Sequence, residues 1–102
     1  MFTHRKTAAP AINESIEPDK FGQLHEVRLH LSAAGGAGNL TVTLDANAGA
    51  AYDTVLLTQD MTLVTDLLWQ PTLPVPYDKG DKIAIAWANG SSRTYGLEVK
   101  FS

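Results

Sequence analysis

At 102 residues the chain has the size of one domain, long enough to bury roughly two-thirds of its unfolded surface without help from metal or disulfides. It contains no cysteine, which excludes a disulfide framework, a Cys-ligated zinc site and a thiol nucleophile. Eight Lys and Arg against eleven Asp and Glu give a net charge of −3, the wrong sign for neutralising phosphates, and no apolar run reaches the roughly 18 residues of a membrane span; neither nucleic acid nor membrane is an expected partner.

Residues 1–20 show no sustained period and hold Pro10 and Pro18. Prolines remove backbone donors, so this stretch is expected as an extended arm that lies along a surface and stays outside any sheet. Its apolar residues, Phe2, Ile12 and Ile16, are isolated, and His4, Arg5 and Lys6 form its one basic cluster. Met1 to Lys6 lacks the apolar core of a secretory signal, so none is expected, and the sequons at Asn39 and Asn89 read as chance. The domain proper is placed at residues 21–102.

From there alternation takes over. Val27, Leu29 and Leu31 alternate with Arg28 and His30; Leu40, Val42 and Leu44 with Thr41, Thr43 and Asp45. Thr54 to Gln59 and Thr62 to Trp69 are two further β-rich runs. Ile83, Ile85 and Trp87 alternate with alanines, and Tyr95, Leu97, Val99 and Phe101 close the chain in the same rhythm. Period two marks strands with one buried face. Turn chemistry separates them at Ala33 to Gly38, Asn47 to Ala51, Asp78 to Asp81 and Asn89 to Ser92, with hairpins expected at the first and last. Pro71, Pro74 and Pro76 make Gln70 to Tyr77 an irregular crossover or edge. Six or seven such strands predict an all-β, two-layer antiparallel β-sandwich, jelly-roll-like; a small closed barrel is the alternative. The open edge of such a sheet must be covered or paired, which predicts self-association.

The residues able to carry chemistry do not converge in the sequence. His25 and His30 have opposite parity and are expected on opposite faces of one strand, and His4 lies in the arm. Asp45-Ala46-Asn47 opens like a calcium loop, but Ala48-Gly49 breaks the ligand order and Leu56 stands where the bidentate Glu belongs. Gly35-Gly36-Ala37-Gly38 precedes a strand and no Lys-Ser/Thr, so it is no phosphate cradle. Ser91-Ser92 lacks a nucleophile elbow. No cofactor, metal or catalytic residue is assigned, and a non-enzymatic role is expected. Trp87 shares parity with the core; Trp69 and Tyr77 are expected at the core margin or an interface.

In the C-terminal half, Trp69-Gln70-Pro71, Leu73-Pro74-Val75-Pro76, Gly80-Asp81-Lys82-Ile83-Ala84-Ile85, Asn89 and Tyr95-Gly96-Leu97-Glu98-Val99 resemble the small β-sandwich structural proteins of tailed bacteriophages, above all the head decoration (cement) proteins. The resemblance covers about residues 22–102 and implies a virion subunit on the capsid surface that binds the major capsid protein, often as a homotrimer. It implies an attaching role for the arm, and the candidate interface is Phe2, Arg5, Lys6, Ile12, Ile16, Trp69 and Tyr77. Similar motifs occur in carbohydrate-binding modules, which keeps a sugar-binding role open, as it does a tail or fibre component.

Overall fold

Nine strands carry the chain in the computed structural model, which covers residues 1–102: β1 (Phe2–Ala8), β2 (Ile12–Ile16), β3 (Gly22–Leu31), β4 (Asn39–Asp45), β5 (Thr54–Asp60), β6 (Asp66–Trp69), β7 (Val75–Tyr77), β8 (Lys82–Trp87) and β9 (Tyr95–Phe101). They form two antiparallel sheets packed as a sandwich. One sheet has the order β1-β9-β3-β6, with β7 sharing the outer edge of β3; the other has the order β2-β8-β4-β5.

The alternating positions do what their period requires. Val27, Leu29, Leu31, Leu40, Val42, Ile83, Ile85, Trp87, Leu97 and Val99 are all buried between the sheets, and Leu44 packs half-buried against them. Met61, Leu24, Tyr95 and Tyr77 complete this core with Ile12 and Ile16.

Only β4 and β5 are consecutive strands that pair with each other. The loops at Ala33 to Gly38 and Asn89 to Ser92 therefore carry the chain from one sheet to the other and are not hairpins. Asn89 explains the second crossing. It is 1 % exposed, with φ of 48°. Its amide donates to the Pro10 and Arg93 carbonyls, and its Oδ1 accepts from the Arg93 amide. The run Thr62 to Trp69 is also shorter as a strand than expected. Asp60 Oδ1 accepts from both the amide and hydroxyl of Thr62, at 3.0 and 2.8 Å, and bends the chain before β6 starts at Asp66.

The expected arm is corrected by the structure. Residues 2–8 pair along all of β9, and residues 12–16 pair along β8. Both are edge strands of the sandwich, and the prolines lie outside them, Pro10 between β1 and β2 and Pro18 after β2. Ile12 and Ile16 are 2 % and 7 % exposed, so these two belong to the core and not to a docking surface.

Candidate functional site

The two outer faces of the sandwich differ in chemistry, and strand register shows how. On the five-stranded sheet the outward residues line up across the strands in three rows: Thr3, Lys100 and Glu26; Arg5, Glu98, Arg28 and Leu68; Thr7, Gly96, His30 and Asp66. Opposite charges stand beside each other throughout. Arg5 Nε lies 3.2 Å from Glu98 Oε1, and Arg28 pairs with the other Glu98 oxygen. Those two guanidiniums, Arg28 first, hold the Glu98 carboxyl below its ordinary range. Glu26 Oε2 makes no well-aligned hydrogen bond, yet Arg28 Nε at 3.1 Å and Lys100 Nζ at 3.7 Å compensate its charge. His30 Nδ1 meets Asp66 Oδ1 at 2.5 Å. This face is a self-neutralised lattice suited to water.

The four-stranded sheet presents the opposite. Its two central rows are Asn13, Ala86, Thr41 and Thr58, then Ser15, Ala84, Thr43 and Val55. None carries a charge, most are small, and Val55 is an exposed aliphatic at 60 %. Charges appear only where the strands end, with the cross-strand pair Asp45 and Lys82 at one end and Asp60 at the other. The want of charge is the one feature these rows share with the centre of an interface, and such a face can be covered without desolvating an ion.

The residues singled out from sequence fall in several places. Phe2 is exposed at one end of the sandwich, where its ring lies 5.7 Å from that of Phe101. Arg5 belongs to the charged lattice. Lys6 turns inward, with Nζ 3.6 Å from Glu14 Oε1. Trp69 packs half-buried against the core. Tyr77 is buried, its hydroxyl donating to the Ser102 carbonyl, and loss of solvent raises its pKa. Ile12 and Ile16 are core, as above. The structure thus does not gather the seven into one surface.

The histidines occupy three separate settings: His4 on Glu14, His25 hydrogen-bonded to Ser102 Oγ at 3.1 Å, and His30 on Asp66. His25 also departs from the simple alternation expected of its strand. The ladder shifts register between Leu24 and Glu26, so His25 sits in a bulge with no β9 partner. Asp81 is a nearly buried carboxylate that ties two loops. It accepts from the Asn47 amide and the Asp78 amide, each at 2.9 Å, and these bonds lower its pKa.

The neutral face was not legible in the sequence, because its rows join β2, β8, β4 and β5, strands far apart in the chain. The outward Thr and Ala positions were visible as the polar half of the alternation; their neighbours were not.

No family model matches the chain, and no curated protein matches it. Among solved structures it is similar to one described as the crystal structure of PirA, with a TM-score of 0.53 and 15 % identity, covering 100 % of this chain and 94 % of that one. The two share a fold. Identity this low carries nothing about function.

Proposed function

We propose that the protein is a non-enzymatic structural subunit of a phage virion, a capsid decoration protein acting as a homo-oligomer and binding the major capsid protein. The observation that carries the reading is the contrast between the two outer faces. One is a solvated charge lattice; the other is an uncharged patch that an assembly can cover without desolvating an ion. The sequence resemblance to decoration proteins points the same way. Since residues 2–8 and 12–16 are strands of the sandwich, attachment falls to the surface of the folded domain and not to a free arm. A small subunit that binds only the assembled shell stabilises it by mass action, and many copies multiply modest contacts. Virions produced from the genome that encodes this chain provide the test. Mass spectrometry of purified particles should find the chain in a copy number comparable to that of capsid subunits. Its absence from particles that otherwise assemble would contradict the proposal.

One feature favours a second reading, a carbohydrate-binding module. The exposed ring of Phe2 stands beside Phe101 in an open groove of about 400 Å³ that is also lined by Glu17, Asp19 and Lys20. An aromatic face flanked by carboxylates is chemistry for stacking and hydrogen-bonding a neutral sugar. Titration with neutral oligosaccharides at millimolar concentration decides it: heat lost in a Phe2→Ala variant supports sugar binding, and no heat with any probe removes it.

A further inference from the structure

We infer that the uncharged face of the four-stranded sheet is covered by a second copy of this chain, packed sheet against sheet about a two-fold axis that runs parallel to the strands between β4 and β8. The inference rests on the reading above only in taking this face as the covered one.

The charges at the end of the face identify the occupant. Lys82 and Asp45 are register partners on neighbouring strands, both exposed, and both belong to the outward set of their strands. Neither takes part in the short ion pairs that knit the opposite face. A two-fold axis between β4 and β8 places β8 of one copy over β4 of the other. Each Lys82 then faces the Asp45 of its mate, so the one rotation makes two charge-complementary contacts.

The same operation sets the central rows against each other by size. Ala84 faces Thr43 of the other copy, and Ala86 faces Thr41. No charge is buried at the centre, and small side chains let the sheets approach to about the 10 Å spacing of packed sheets. Aligned packing, with strand directions within about 30°, is the common geometry between sheets and is what an axis parallel to the strands produces. Four strands at about 4.8 Å spacing make the face about 19 Å wide. Strands of about six residues at about 3.4 Å per residue make it about 20 Å long, so each copy covers only about 400 Å², half the usual share of a specific interface, and the dimer should dissociate in the micromolar range or above. A closed two-fold contact also replaces the trimer expected from the resemblance, since an isologous interface builds pairs.

Sedimentation equilibrium of the full chain, in the absence of any capsid, tests this. At several hundred micromolar the mass should be twice the 11.0 kDa of one chain and fall toward one chain on dilution. Ala86→Lys, at an exposed position, should abolish dimers while keeping the melting curve. Lys82→Asp should weaken dimerisation several-fold, and Lys82→Asp combined with Asp45→Lys should restore it, because opposite charges again face each other. A monomer or a trimer at every concentration overturns the inference. So does a dimer indifferent to Ala86→Lys, or a double variant as weak as the single one. A monomer that still enters virions would give the face to the capsid protein, ending the dimer but not the virion role.

Discussion

His4 Nε2 and Glu14 Oε2 lie 2.8 Å apart and join the two sheets of the sandwich at one lateral wall. His4 stands opposite Val99 on β1, and Glu14 stands opposite Ile85 on β2, so both point inward from edge strands. Lys6 reaches the same carboxylate. Inward charges on edge strands discourage pairing with a foreign strand, and here they also neutralise each other. The first sixteen residues therefore act as the closing wall of the domain.

Removal of residues 1–17 should consequently abolish cooperative unfolding, since it strips the outer strand from each sheet and uncovers Val99 and Ile85. Ile12→Ala alone should cost about 2–5 kcal/mol, comparable to Ile85→Ala at the centre of the core. Urea denaturation followed by circular dichroism measures both. A truncated chain that melts as the whole one does would show that β1 and β2 are dispensable.

The His4 and Glu14 pair also explains what the sequence concealed. The inward positions of β1 are Phe2, His4, Lys6 and Ala8, and those of β2 are Ile12, Glu14 and Ile16. Apolar alternation is erased where charged residues face inward to meet one another, so the segment reads as an arm. Elsewhere, as in Leu40, Val42 and Leu44, apolar residues mark the inward face and the period is plain. The crossings at Asn89 and at Ala33 to Gly38 are hidden in the sequence for another reason. Turn residues specify a local reversal of the chain, but not the sheet to which the next strand belongs. The uncharged face depends on that same nonlocal order.

Acid should weaken the fold through Asp81 and Glu98. Both carboxyls have folded pKa values below their unfolded ones, Asp81 through the Asn47 and Asp78 amides and Glu98 through Arg28 and Arg5. Their stabilisation is present above the unfolded values, near pH 4, and is lost as pH falls through the folded values. Melting temperature should therefore drop below about pH 4. Asp81→Ala should melt lower than the parent at pH 7, with the gap closing in acid. A gap that is constant or widens toward low pH would contradict the assignment.

Asn89 should tolerate no common replacement. Asn89→Ala leaves the Pro10 and Arg93 carbonyls and the Arg93 amide without their buried partner, which costs about 1–3 kcal/mol, and it puts alanine, which lacks the local side-chain hydrogen bonds of asparagine, in a left-handed conformation. Asn89→Gly should recover the conformational part and no more. Chemical denaturation of the two variants separates the contributions; equal losses would show that the backbone conformation is not strained.

In the proposed role, the face of Thr43 and Ala86 is covered in the assembly while the face of Arg28 and Glu98 stays in water. Incorporation into purified virions, measured for Thr43→Lys with Ala86→Lys and separately for Arg28→Ala, distinguishes the two faces. Both proteins should remain folded by circular dichroism. The lysine pair should lower incorporation at least tenfold, and Arg28→Ala should enter particles as the parent does. Normal incorporation of the lysine pair, or its loss in Arg28→Ala alone, would contradict it.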